Sequence, residues 1–287
     1  MPVAGEPLIR RIVAWLSSQG VTEIVLNLHH RPETIAAVVG HGRDLGARVR
    51  YSWEQPLILG SAGGPRLAIP VLAPDAGTCL IVNGDTLTDV DVAGLVAHHA
   101  ASGARVTMAV VPNRECDRYG GVQLDEDGRV TGFVTRGTEA RGSWHFIGVQ
   151  VADTSVFERV APGVPVSTIG GVYDELVWRA PGAVQGFRCD ARFWDVGTAE
   201  DYWRTSQDFM RREGRPSVGR GGRIHETACV TGSILWDNVE IGAGASVVDC
   251  IITDGVRVPA GAVYQRTIVA GCPETADLIV TPFTFRA

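Results

Sequence analysis

The chain contains no lysine: all 26 basic residues among its 287 positions are arginine. That absence excludes a Schiff-base enzyme, a lysine nucleophile and a P-loop built around its phosphate lysine. The six cysteines, Cys79, Cys116, Cys189, Cys229, Cys250 and Cys272, form no Cys-x-x-Cys pair and read as free thiols of a reducing compartment. No apolar run approaches the roughly 18 residues of a membrane helix, and Met1-Pro2-Val3-Ala4-Gly5-Glu6 lacks the basic and apolar regions of a leader. Excess positive charge is missing too. A net charge of −6 opposes nucleic-acid phosphates or an anionic membrane as partners. Seven histidines include the pairs His29-His30 and His98-His99 but no His-x-x-x-His or His-Glu-x-x-His spacing, and no Gly-x-Ser-x-Gly elbow occurs. Zinc hydrolases and α/β-hydrolases lose their support. A soluble, cytoplasmic protein is the expectation.

What is present is an alternation of helices and short apolar strands. Leu8, Ile9, Ile12, Val13 and Leu16 fall at helical spacing between Glu6 and Gln19, with Pro7 suited to the first turn and Gly20 to a cap. The run 23–28, a helix from Pro32, a strand near 49–53, a helix over 63–72, the strand Thr78 to Val82, a helix over 92–101 and the strand 105–111 continue the pattern. It predicts an α/β domain with a largely parallel sheet. A hairpin follows over 121–134, and a helix capped by Thr198 runs to Arg212.

The stretch 214–222, rich in Gly, Arg and Pro, reads as a linker. Beyond it, Ser233 to Ala245 overlays Cys250 to Ala262 at an offset of 17, and Thr267 to Gly271 opens a third copy. Three short strands per coil, each with an inward aliphatic residue and a Gly or Asn corner, predict a β-helix over 223–271. The division expected is therefore 1–213, linker 214–222, β-helix 223–271 and tail 272–287.

Asp85 ends the strand Cys79-Leu80-Ile81-Val82-Asn83-Gly84-Asp85, at the sheet edge where open α/β sheets bind ligands; a simple Asn-Gly turn is the other reading. Asp195, in Phe193-Trp194-Asp195-Val196-Gly197-Thr198, lies between an aromatic strand and a helix cap. Hard cations such as Mg²⁺ favour such carboxylates with substrate phosphates, and capping or turn roles fit both residues equally well. The small-residue loop Gly60-Ser61-Ala62-Gly63-Gly64 offers close backbone approach to a ligand.

In order, the segments Pro2 to Ile9, Leu59 to Gly64, Val82 to Asp85, Tyr119 to Val122 and Phe193 to Tyr202 resemble sugar-1-phosphate nucleotidyltransferases. The likeness is to enzymes of the mannose-1-phosphate guanylyltransferase type that carry a left-handed hexapeptide β-helix, and it implies an α/β, Rossmann-like domain with a mixed, largely parallel sheet. It implies transfer from an NTP to a sugar-1-phosphate, with Asp85 and Asp195 holding Mg²⁺. It also implies that Gln55, Gly60, Ser61, Ala62 and Gly63 meet the nucleotide, that Gly120 and Arg136 meet the sugar phosphate, and that the chain forms a homo-oligomer. A catalytically silent nucleotide-sugar-binding regulatory subunit is the alternative. The β-helix, with His225 as its only imidazole, is expected to serve oligomerisation or packing against the catalytic domain, not acyl transfer.

Three departures from the family stand out. Its opening glycine-rich loop and Pro-Lys pair are absent, Thr135-Arg136-Gly137 stands where Glu-Lys-Pro is common, and a common asparagine is replaced within Ser143 to Gly148. Arg136 keeps the charge with a different geometry. The first departure leads to the expectation that Met1 is an internal methionine, about 25 residues into the gene product by the family's proportions, with activity impaired without that segment.

Overall fold

A computed structural model describes residues 1–72, 77–215, 217–272, 275 and 277–285. The expected linker lies outside the described residues at Pro216, and the expected tail at Pro273, Glu274, Ala276, Arg286 and Ala287. The chain forms two compact units, one of Ile9–Phe193 and one combining Met1–Leu8 with the chain from Trp194 onward. Among the described residues no helix is long and apolar enough to cross a membrane.

In chain order the first elements are β1 (Pro2–Val3), β2 (Glu6–Pro7), α1 (Leu8–Ser18), β3 (Glu23–Leu28), α2 (Pro32–Val39), β4 (Arg48–Trp53), α3 (Gly60–Leu72), β5 (Thr78–Val82) and β6 (Thr86–Thr88). There follow α4 (Val92–Ser102), β7 (Val106–Pro112), β8 (Gly121–Leu124), β9 (Val130–Val134), β10 (Trp144–Asp153), α5 (Tyr173–Arg179), β11 (Val184–Arg188), β12 (Phe193–Asp195) and α6 (Ala199–Glu213). The predicted first helix is shorter than its periodicity suggested. Ala4 and Gly5 take φ of 48° and 76°, closing a two-residue turn that holds Glu6 and Pro7 extended against Val3 and Pro2.

In the first unit, β11, β7, β10, β8 and β9 lie in that order in one sheet, with β5 also on β10. The sheet is mixed as predicted, but the expectation that it is largely parallel is corrected. β10 runs antiparallel to β5, β7 and β8, and β8 is antiparallel to β9. Among the described strand pairs of this unit, β11 on β7 and the separate pair β3–β4 are parallel. The physical reason is that β10 is a ten-residue central strand entered from the β8–β9 hairpin, so neighbours on both its edges oppose it. Every residue of β7 from Val106 to Val111 is buried. Val106, Met108 and Val110 face Phe157, Tyr173 and Val184, whereas Ala109 and Val111 face Leu95 and Ile147. That is the period of two, applied to a strand covered on both faces. Each buried Val, Leu, Ile, Met or Phe side chain among these contributes about 1.5–3 kcal/mol.

The second unit carries β13 (Arg223–Ile224), β14 (Cys229–Thr231), β15 (Ile234–Leu235), β16 (Glu240–Ile241), β17 (Ser246–Val248), β18 (Ile251–Ile252), β19 (Arg257–Val258), β20 (Val263–Gln265), β21 (Thr267–Gly271) and β22 (Leu278–Pro282). β13, β16 and β19 stack in parallel, as do β14, β17 and β20, and β15, β18 and β21, each in the register of the 17-residue repeat. Left-handed corners recur at the same interval: Gly221, Asn238 and Gly255, then Gly232, Asp249 and Arg266. Leu235, Ile252 and Val269 form an inward column. This is a short parallel β-helix, closed by a reversal the repeat did not foretell, because β22 pairs antiparallel with β21. Helix α6 belongs to this unit: Trp203 Nε1 and Gln207 Nε2 both donate to Gly232 O, at 2.7 and 2.8 Å. The units thus divide at Phe193/Trp194, ahead of the 214–222 stretch.

Candidate active site

Asp85 is exposed just beyond β5. The amide of Asn83 donates to Gly148 O at 2.8 Å, and at Gly148 (φ 78°) a Cβ would stand 3.0 Å from the Asn83 side chain. The register of β10 against β7 shifts between Phe146 and Gln150. This glycine-centred bulge gives the Asn83-Gly84-Asp85 segment its seat. Thr86 Oγ1 approaches Asp85 Oδ1 at 3.4 Å.

In the other unit, Asp195 Oδ1 accepts from the amide of Gly197 at 3.0 Å, and Asp195 O accepts from Thr205 Oγ1 at 3.1 Å. Thr198 caps α6 by accepting from the Asp201 amide. The carboxylate is therefore oriented by an Asx turn at a helix start. As oxygen donors, both Asp85 and Asp195 suit a hard divalent cation, the chemistry that Mg²⁺ requires. Among the described residues no three His, Cys, Asp or Glu side chains gather. Mg²⁺ is ordinarily held by one or two carboxylates with water and substrate phosphates completing its sphere, so the fit does not need such a cluster.

The loop expected to meet the nucleotide is built around Glu54, which no sequence motif marks. Glu54 is buried, and its carboxylate accepts from the Leu59 amide and from Asn27 Nδ2. His29 Nδ1 donates to Glu54 O at 2.7 Å, and Gln55 Nε2 donates to His29 O at 3.1 Å. Gln55 itself is exposed at the end of β4. A polar residue directly before Gln55-Pro56 was the available signal, but its burial depends on Asn27, which is 27 residues away.

The four small residues after Leu59 do two different jobs. Gly60 and Ser61 are accessible, whereas Ala62 and Gly63 are buried. The amides of Ala62 and Gly63 both donate to Val166 O, at 2.9 and 3.3 Å, and Val166 N donates to Leu59 O at 2.9 Å. Ser61 Oγ accepts from Thr168 N at 2.8 Å. A Cβ at Gly60 would meet Val166 O at 2.8 Å, and one at Gly63 would meet Val164 O at the same distance. The small residues do permit a close approach, and what approaches them is the backbone of 164–168 rather than a ligand.

At the far side of the sheet, Gly120 and Arg136 come together. A Cβ on Gly120 would lie 3.0 Å from Val134 O and 3.9 Å from Arg136 N. Both residues are exposed. Tyr119 stacks on His145 with ring centroids 4.1 Å apart, and Phe193 closes the group at 4.9 Å from His145. His145 occupies the region where the family's asparagine is replaced, so an aromatic wall stands beside the Tyr119-Gly120 turn.

A mixed sheet flanked by helices and followed by a short parallel β-helix is the fold expected of a nucleotidyl transferase with hexapeptide repeats. The chain belongs to the nucleotidyl transferase family, whose profile matches residues 1–212, and residues 215–268 match the GlmU-like C-terminal hexapeptide profile. The mannose-1-phosphate guanylyltransferase of Mycobacterium tuberculosis is 30% identical over 278 residues, covering 93% of this chain and 76% of that protein. The D-glycero-alpha-D-manno-heptose 1-phosphate guanylyltransferase of Aneurinibacillus thermoaerophilus is 28% identical over 73% of this chain and 87% of its own length. In fold, HddC from Yersinia pseudotuberculosis, solved with GMP-PN, superposes with a TM-score of 0.61 at 22% identity, covering 73% of this chain and 88% of that one.

Proposed function

We propose that this protein transfers a nucleotidyl group from an NTP to a sugar-1-phosphate, forming an NDP-sugar and pyrophosphate, and that guanylyl transfer to mannose-1-phosphate is its reaction. The observation that carries this reading is the 30% identity to a mannose-1-phosphate guanylyltransferase across 93% of the chain. In the reaction a phosphate oxygen of the sugar-1-phosphate forms a bond to the α-phosphorus. The bond from that phosphorus to the bridging oxygen breaks, and pyrophosphate leaves with the electron pair. No protein nucleophile is needed, which suits a chain without lysine.

Asp85 and Asp195 are the residues we assign to Mg²⁺, which when bound offsets phosphate charge. Gln55 and Gly60 meet the base, with Ser61 beside them, while Ala62 and Gly63 contribute by letting residues 164–168 pack close. Gly120 and Arg136 receive the sugar phosphate; Arg136 is exposed and makes no ion pair among the described residues, so its five donors are available. Residues 1–213 form the transferase part in this reading, 223–271 support homo-oligomer assembly, and the protein acts in the cytoplasm. The regulatory-subunit alternative rests on Arg136 standing where an ammonium is common.

Pyrophosphate release measured for GTP, UTP and dTTP against a panel of sugar-1-phosphates, with Mg²⁺, tests the assignment. Turnover restricted to GTP with mannose-1-phosphate is expected. Thermal stabilisation by GDP-mannose without any turnover would favour the regulatory reading, and neither effect would refute both.

A further inference from the structure

Asn113 directly follows β7, and nothing in the sequence motifs singles it out. Its Nδ2 donates to Tyr119 O at 3.2 Å, to Gly120 O at 3.4 Å and to Ser143 Oγ at 3.4 Å. Its backbone amide donates to Ser143 O at 3.0 Å. Ser143 Oγ in turn donates to Ala140 O at 2.6 Å, so one side chain ties the start of β10 to the turn that carries Gly120. The two carbonyls fix which end of the amide faces the turn, since an oxygen placed there would face two other acceptors.

The opposite end of the amide has no such support. Asn113 Oδ1 is buried with no hydrogen-bond partner among the described residues. An orphaned buried acceptor is unfavourable, so this amide is not there to complete a saturated network. Its one satisfied function is the donation toward Tyr119, Gly120 and Ser143. The ring of Tyr119 is meanwhile held by His145 and Phe193. The turn is therefore gripped at its side chain by stacking and at its carbonyls by Asn113, while Gly120 stays exposed.

We propose that Asn113 is a positioning residue that sets the Tyr119-Gly120 turn for the sugar end of the substrate, acting through the two carbonyls without touching the substrate itself. This rests on the nucleotidyltransferase reading above, in which Gly120 contacts the sugar.

The test compares binding of GTP and of GDP-mannose to the full chain and its Asn113→Ala variant by titration calorimetry, with amide hydrogen exchange alongside. Asn113→Ala should weaken GDP-mannose by about tenfold, or roughly 1.4 kcal/mol, and leave GTP unchanged. Exchange across residues 115–121 should accelerate while that of 149–153 stays the same. Asn113→Gln, which keeps the amide, should recover part of the loss. Equal weakening of both ligands, unchanged GDP-mannose binding, or unchanged exchange at the turn would overturn the inference. If Asn113→Ala does not fold, Asn113→Asp is read by the same ratio, because a carboxylate there faces two carbonyls. An unsubstituted protein that binds neither ligand would refute the functional reading and this inference together; binding with an unaltered ratio refutes the inference alone.

Discussion

Glu54 offers the sharpest test of how the loop proposed to meet the nucleotide is built. It is 6% exposed, and its carboxylate accepts from the Leu59 amide and from Asn27 Nδ2. Hydrogen bonds to a charged group contribute about 1.5–3 kcal/mol each. Glu54→Ala removes both and leaves two donors without their acceptor. Loss of the carboxylate also removes its own desolvation cost, which offsets part of the damage, so a net destabilisation of about 2–4 kcal/mol is expected. Because Leu59 O is the acceptor for Val166 N, release of Leu59 should loosen residues 164–168 as well. Urea unfolding monitored by tryptophan fluorescence gives the stability change, and calorimetry with GTP gives the binding change. Glu54→Gln, which retains one acceptor oxygen, should fall between. A change below about 0.5 kcal/mol for Glu54→Ala, the scale of an ordinary surface substitution, would refute the reasoning.

Asp85→Asn should abolish Mg²⁺-dependent pyrophosphate release while leaving the unfolding midpoint within about 0.5 kcal/mol, since the residue is exposed; retained turnover removes Asp85 from the metal. Gly63→Ala places a methyl 2.8 Å from Val164 O and 2.9 Å from Leu59 Cβ, and overpacking of about 1–3 kcal/mol should appear in the same urea titration. Burial, with a smaller contribution from Asp153, pushes the Cys79 thiol up to about 11 from an ordinary value of 9.0. The folded state therefore holds that proton more tightly. The stability it confers is complete below pH 9.0 and is lost as pH rises toward about 11, a change of about 2–3 kcal/mol. Comparison with Cys79→Ala isolates it from Tyr173 and Tyr202, whose phenols burial also raises; parallel pH curves for the two proteins would contradict the assignment. Ile252→Ala should cost about 2–5 kcal/mol, because the side chain is fully buried in the column with Leu235 and Val269. An unfolding titration with an unchanged midpoint would count against that packing.

Much of the architecture was legible because it is written in local signals. The 17-residue offset fixed the β-helix register, since each coil must return an aliphatic residue and a left-handed corner to the same place. Strand β5 and the Thr198 cap were equally readable. Strand direction was not, because apolar strands separated by helices look alike whether their neighbours run with or against them, and β10 decided the matter through pairings far apart in sequence. The same division runs through the site. Asp85 announces itself at a strand end, while Glu54, Asn27 and Asn113 matter only through partners that folding brings near.

The small-residue loop shows how one motif can serve packing where the sequence suggests ligand binding. Helix starts attract phosphates because their amides lack partners. In α3, however, the Ala62 and Gly63 amides donate to Val166 O, so only the accessible Gly60-Ser61 end is left for a ligand. The glycine at 63 is there because Val164 O leaves no room for a Cβ. If the proposed reaction is correct, charge neutralisation at the phosphates would fall less on this helix and more on metal and arginine. In a chain with no lysine, the proposed reaction would then make the greatest demand on Arg136 and on Asp85 and Asp195, the two carboxylates proposed for Mg²⁺.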